Sequence, residues 1–207
     1  MSRAGDTMSE QRHALWLIRH GETEWSLAKR HTGRTDIALT ATGERQAAAL
    51  GRHLARRAFA LVLCSPLQRA RETCRLAGYS DVATYTDDLL EWDYGAYEGR
   101  TTSEIRTEVP GWSIWTGGVP GGETIEQVGN RAEQAIKQAL AVDGDVALFA
   151  HAHILRILTA SWLGLPPDAG RLFALSTASV SVLGHERETR VISVWNQDWH
   201  LVHQENP

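Results

Sequence analysis

Leu17-Ile18-Arg19-His20-Gly21-Glu22-Thr23 is the stretch on which the reading of this chain turns. It closes an apolar run that begins at Ala14, and it sets an arginine and a histidine side by side before a glycine. Ala14 to Ile18 reads as a short buried strand, and in α/β sheets chemistry collects just beyond the carboxyl ends of strands. A histidine placed there can act as a nucleophile, and an adjacent arginine fork can hold a pair of anionic oxygens. The glycine lets a bound group approach the backbone.

Outward from that strand, apolar strand-like runs alternate with segments of helical period, the pattern of a largely parallel α/β sheet. Leu39 to Ala58 is helical in character, with Ala47, Leu50, Leu54 and Ala58 at spacings of three and four and Thr40 as the cap. Gly43 stands where a capping-box glutamate would fall. Leu61 to Cys64 is a second strand, followed by a helix expected to begin near Ser65-Pro66, with the proline in its first turn. Thr124-Ile125-Glu126-Gln127 matches a capping box and opens a helix through Leu140, striped by Ile125, Val128, Ala132, Ala135, Ile136 and Ala139. Val146 to Ala150 is a third apolar strand that ends at His151. Ile154 to Leu163 then reads as a helix closed by Gly164 and Pro166-Pro167. Val180 to Leu183 and Val191 to Trp195 are closing strands around a polar turn, with an edge suited to a homodimer. Between Glu98 and Glu123 lies an insertion with Trp112, Trp115 and a glycine-rich run, read as a short helix and a mobile flap.

Bulk properties narrow the function. A net charge of −4 over 207 residues argues against a general nucleic-acid or membrane-surface partner. Any positive field for an anionic ligand must therefore be local, with Arg19 and Arg69 as candidates. Cys64 and Cys74 make neither a disulfide framework nor a metal-type pair, and Cys64 reads as a core thiol. Residues 1–12 are polar and lack the apolar core of a signal peptide, and no apolar stretch approaches the ~20 residues of a membrane span. They are expected to be a flexible segment before one domain at 13–207, in a cytoplasmic protein.

Four ordered pieces carry a resemblance. Arg19-His20-Gly21-Glu22-Thr23-Glu24-Trp25 with Thr32-Gly33, Leu39-Thr40 and Gly43-Glu44 comes first, then Ser65-Pro66-Leu67-Gln68-Arg69-Ala70. Glu91-Trp92-Asp93-Tyr94-Gly95 with Glu98-Gly99 and Ala150-His151-Ala152-His153 follow. From about Leu15 to Val182 the chain resembles the histidine phosphatase superfamily, which includes the phosphoglycerate mutases. The resemblance implies an α/β fold in three layers, with a mostly parallel central sheet, helices on both faces and a small flap at about residues 100–123. It implies no cofactor.

Moving a phosphoryl group without a metal needs a nucleophile, cations over the non-bridging oxygens, a donor to the leaving oxygen, and later a water. By resemblance, His20 would form a phosphohistidine, which requires its other ring nitrogen to be a hydrogen-bonded N–H. Arg19 and Arg69 would clamp the phosphoryl oxygens, His151 would be a third donor, and Glu91 the general acid and then base. Trp92, Trp112 and Trp115 are expected to desolvate Glu91 and raise its proton affinity, so that activity is best at acidic to neutral pH. Thr32, Gly33 and Ser65 match places that contact the transferred group, and Gly21, Thr23, Ser26, Tyr94 and Ala152 are assigned to the same pocket. Ser26 departs from the family's asparagine and Ala152 from its glycine. His153 and Arg156 would contact a second phosphate or sugar hydroxyls.

The family's mutases place an arginine after the catalytic glutamate, a lysine about ten residues on, and an arginine pair in a longer insertion. Here Trp92 and Thr102 occupy the first two places, and Trp112 to Gly122 contains no basic residue. The motifs look most like broad-specificity acid phosphatases and sedoheptulose-type sugar bisphosphatases. The expected function is hydrolysis of a small phosphorylated metabolite, with phosphoglycerate mutase as the alternative. A metal-dependent hydrolase using the His151-Ala152-His153 pair is a remote third reading.

Overall fold

A computed structural model describes residues 14–54 and 57–202. The segment 1–12 lies outside the described residues, as do residues 55–56 of the expected first long helix. Six strands form one sheet: β1 (Leu15–Arg19), β2 (Leu61–Cys64), β3 (Ala83–Tyr85), β4 (Val146–Ala150), β5 (Val180–Glu186) and β6 (Thr189–Gln197). Their order is β3-β2-β4-β1-β5-β6. The first four in that order are mutually parallel, and β5 and β6 are antiparallel additions.

Side chains alternate across a strand, so each face of the sheet has its own core. Leu15, Leu17, Leu63, Leu148 and Ala150 pack on one side under α6 (Ile125–Ala139) and α7 (Ala152–Trp162). Ile18, Val62, Cys64, Ala147 and Phe149 pack on the other, under α2 (Ala41–Leu54) and α3 (Gln68–Leu76). Every residue of β4 is buried, as a central parallel strand covered on both faces must be. Full burial of a side chain such as Phe149 or Leu148 contributes about 1.5–3 kcal/mol. The expected three-layer arrangement is the observed one.

Local boundaries differ where turn chemistry overrides apolar period. The helix after β2 starts at Gln68 with Leu67 at its N-cap, so Pro66 lies ahead of the helix and not in its first turn. Strand β3 was not expected from the sequence. It is three residues long and two of them are exposed, so it has no apolar run to announce it. The insertion holds α4 (Thr102–Glu108) and α5 (Ile114–Gly117). Ile105, Trp112 and Ile114 join the main core, and the Trp112 indole N–H donates to Gly118 O at 2.9 Å, which pins the glycine-rich run. The capping box Thr124–Gln127 opens α6 as expected, and Val128, Ala132, Ala135, Ile136 and Ala139 are its buried stripe. Among the described residues, no helix is long and apolar enough to cross a membrane.

The connections place a crevice. The crossovers from β1 to β2 and from β2 to β3 run through α2 and α3 on one face. Those into and out of β4 run through α6 and α7 on the other. The adjacent strands β1 and β4 thus send their chains to opposite faces, and a cleft opens at their carboxyl ends.

Candidate active site

The β1–β4 register sets Arg19 opposite Ala150, so His20 and His151 emerge side by side. His20 N–H donates to Ala150 O at 3.0 Å, and the two imidazole rings stand 5.2 Å apart. His20 Nδ1 is 2.7 Å from Gly21 O. A carbonyl oxygen only accepts, so Nδ1 carries the proton and Nε2 keeps its lone pair. Nε2 has no protein hydrogen bond among the described residues. Burial first, then the charges of Arg69 and Arg19, hold His20 well below the usual histidine range. The imidazole is therefore neutral at pH 7, the form a nucleophile needs.

Arg69 is fully buried and ties the floor together. Its Nε–H donates to His151 Nδ1 at 3.0 Å, and its terminal nitrogens donate to the carbonyls of Thr32, Gly33 and Thr35. His151 must then be protonated on Nε2, which lies 2.7 Å from Ser65 Oγ. Burial, reinforced by Arg69, pushes His151 well down as well. The ring is a neutral donor whose two nitrogens both have protein partners. Arg69 thus positions the Thr32–Thr35 loop and His151. Arg19 is differently placed: one terminal nitrogen donates to Leu175 O, and Nε is buried without a partner among the described residues. Burial lowers its pKa to about 10, so it remains a cation at neutral pH with donor capacity unused.

Glu91 is 3% exposed and faces the first turn of α7. Its carboxylate accepts the backbone N–H groups of Trp92, His153 and Ile154, each at 3.0 Å, the expected place for an anion at a helix N-terminus. The tryptophans wall this region indirectly. The Trp92 indole donates to Glu123 O, Trp115 packs against His153, and Trp112 packs against His31 and Tyr97.

A cleft of about 80 Å³ is lined by Arg19, His20, Ser26, Thr32, Glu91, Tyr94, Ala152 and His153, all of them expected. Arg30 and His31 also line it and were not singled out, although they directly precede the Thr32-Gly33 motif. His31 is driven down to about 4 by burial, and its ring lies against Tyr94 at 4.9 Å. Other expected contacts stand behind the cleft for identifiable reasons. A Cβ on Gly21 would meet Gly43 O at 2.5 Å, and the Gly21 N–H is bound by Thr73 Oγ1. Gly21 thus permits a helix approach, where a ligand approach was expected. Thr23 caps α1 (Glu24–Leu27) through a box with Ser26, so its side chain is engaged there. The Gly33 N–H goes to Glu98 Oε1, and a Cβ there would meet Trp92 O at 2.4 Å. Arg156 lies over Trp115 and donates to Gly170 O and Arg171 O.

Positioning groups missed in the sequence complete the site. Arg131 of α6 binds Glu123 through two bonds of 2.8 Å and donates to the carbonyls of Asp88, Leu90 and Glu91. Glu98 accepts the N–H groups of Gly33 and Thr35, opposite the face that Arg69 holds.

The architecture, with paired histidines and an arginine at the carboxyl ends of β1 and β4, defines a class of phosphoryl-transfer site. Residues 15–198 match the model of the histidine phosphatase superfamily (branch 1), and the chain belongs to that superfamily. It is 42% identical over 191 residues to an acid phosphatase of Mycobacterium tuberculosis, spanning 90% of this chain and 94% of that one. It is 37% identical over 182 residues to the sedoheptulose 1,7-bisphosphatase of Saccharomyces cerevisiae, across 72% of this chain and 67% of that one. A solved structure of a Mycobacterium tuberculosis open reading frame superposes with a TM-score of 0.85 at 41% identity, covering 90% and 98% of the two chains.

Proposed function

We propose that the protein is a metal-independent phosphomonoester hydrolase acting on a small phosphorylated metabolite, a sugar phosphate or a phosphoglycerate-like ester. The observation that carries this reading is the His20 tautomer: Nδ1–H is fixed on Gly21 O, and Nε2 has no protein partner among the described residues, in a cleft lined by Arg19 and Glu91. Nε2 attacks phosphorus while the P–O ester bond breaks, and the leaving oxygen takes the proton of the Glu91 carboxyl. Water, deprotonated by Glu91, then attacks phosphorus; the P–N bond breaks, and inorganic phosphate leaves a restored His20. Arg19 supplies donors to the phosphoryl oxygens, and the Nε2–H of His151 joins it by exchanging its Ser65 Oγ partner for a phosphoryl oxygen.

The two curated relatives above are named for phosphate-ester hydrolysis, which supports the same class of reaction here. A mutase must hold a carboxylate as well. The groups at the corresponding places are a tryptophan whose indole binds Glu123 O and a threonine whose hydroxyl meets His31. Metal ligation by His151 would displace the Arg69 and Ser65 partners and set a cation against a buried guanidinium.

The test is phosphate release by purified protein without added metal, over 3-phosphoglycerate with its bisphosphate, sugar mono- and bisphosphates and an aryl phosphate, with 2-phosphoglycerate scored alongside. Phosphate release without isomerised product is expected. Replacing His20 by alanine should lower turnover on the order of a thousandfold or more with the thermal midpoint kept. Retained turnover in that variant would remove the phosphohistidine, and fast 2-phosphoglycerate formation would make the protein a mutase.

A further inference from the structure

We propose that Tyr94 is a positioning residue that fixes the tautomer of His153, so that His153 presents Nε2–H in the cleft as a donor to an oxygen of the leaving group. The inference deepens the phosphatase reading and rests on it. It assigns the substrate class as esters whose alcohol part carries a further hydroxyl or carbonyl oxygen near the ester oxygen.

Tyr94 is 2% exposed, and its hydroxyl lies 2.6 Å from His153 Nδ1. No other partner for that hydroxyl is found among the described residues. A buried phenol that fails to donate carries a substantial penalty, and Nδ1 is the acceptor within its reach among the described residues, so its proton is assigned to that bond. Nδ1 then accepts, and a neutral imidazole must place its own proton on Nε2. Neutrality is supported by burial, which holds His153 well below the usual range with help from Arg156, His31 and Arg19. Tyr94 is held well above the ordinary phenol range, again by burial first, so it keeps the proton it donates.

The position of the ring gives the donor its target. His153 lines the cleft beside Glu91, whose carboxylate accepts the His153 backbone N–H at 3.0 Å. The residue is thus fixed at both its main chain and its ring edge, next to the group that protonates the leaving oxygen. Nε2 has no protein partner among the described residues. His31 and Trp115 pack against the same ring at centroid distances of 6.3 and 5.1 Å.

Two measurements test this. The first is the tautomer itself, read from ¹⁵N shifts and two-bond couplings of histidine-labelled wild-type protein and of Tyr94→Phe. The wild type should show His153 as the Nε2–H form, and the variant a mixture. A wild-type Nδ1–H form overturns the proposal whether or not the protein turns over any ester. The second is kinetic, comparing glycerol phosphate or a hexose phosphate with phenyl phosphate, whose leaving group has no second oxygen. Tyr94→Phe should raise KM for the polyol esters about five- to tenfold more than it raises KM for phenyl phosphate, the difference falling on KM and not on kcat. His153→Gln, whose amide NH₂ needs no tautomer fixed, should retain the polyol preference and make Tyr94→Phe without further effect. Equal losses on both ester classes would reduce Tyr94 to a packing role and overturn the inference. Absence of turnover on every ester, with the Nε2–H tautomer seen, would instead overturn the phosphatase reading.

Discussion

Arg131 shows how much of this site depends on a residue that does not touch it. Its planar fork meets both oxygens of Glu123 and three carbonyls of the Asp88–Glu91 segment, and Glu123 in turn accepts the Asp93 N–H at 2.9 Å. Lysine offers a point charge and three donors without the fork, so it cannot reproduce that set. Arg131→Lys should destabilise the protein by about 2 kcal/mol, the scale of buried bonds to charged groups left unmade. It should also lower kcat on the order of tenfold or more, because small displacements of a catalytic carboxylate are costly. Urea unfolding and steady-state kinetics check both, and an unchanged kcat would detach this network from Glu91. Nothing in the local sequence announces Arg131: it sits on α6 as one more basic residue of a helix surface, and its carbonyl partners are some forty positions away. Arg19, His20, Glu91 and His151 were legible because each stands at the end of an apolar run or within an ordered motif. Arg30 and His31 were not, since their place in the cleft depends on the path of the loop after α1.

At the scale of elements, the N-terminus of α2 decides where the loop after β1 can go. Thr40 N–H donates to Glu22 O at 3.0 Å, and Thr40 Oγ1 donates to Glu22 Oε1 while accepting the Gly43 N–H. Gly43 lies so close that an added Cβ would sit 2.1 Å from Glu22 O. In an open helix, glycine to alanine gains about 1 kcal/mol. Here the partner is backbone and cannot swing aside, so overpacking of about 1–3 kcal/mol outweighs the propensity gain. Gly43→Ala should therefore lower the thermal midpoint and, by pushing on the Gly21–Glu22 main chain, weaken phosphate binding. A raised midpoint in thermal melts would show that the helix end relaxes freely. The sequence posed this as an oddity, a glycine where a capping glutamate belongs, and the close approach is its physical explanation. Strands β1, β2 and β4 and the α6 cap were legible because core burial and capping leave periodic marks. β3 left none, being short and mostly exposed, and Pro66 was misplaced because a proline ahead of an N-cap looks the same as one just inside it.

For the whole molecule, the same burial that readies the cleft makes it sensitive to acid. His20, His31, His151 and His153 all have pKa values lowered by burial, His31 to about 4 and the others well below the usual range. Each is neutral when folded and binds a proton more readily when unfolded. Their contribution is therefore fully present above about pH 6.5, the ordinary histidine value, and is lost as pH falls toward the folded values. Each such histidine adds a slope of about 1.4 kcal/mol per pH unit within that window. Glu123, lowered by its bonds to Arg131 and the Asp93 N–H against the opposing effect of burial, pulls in the same direction at lower pH. Stability measured by urea midpoint should thus fall steeply between pH 6.5 and 4.5. A bound phosphate or vanadate favours protonated neighbours and should flatten the fall, so that the ligand stabilises more at pH 5 than at pH 7.5. A midpoint that is level from pH 7.5 to 4.5 without ligand would mean that these imidazoles are solvated or already charged in the folded protein. His20 would then lack the buried, neutral state on which its proposed nucleophilic role depends.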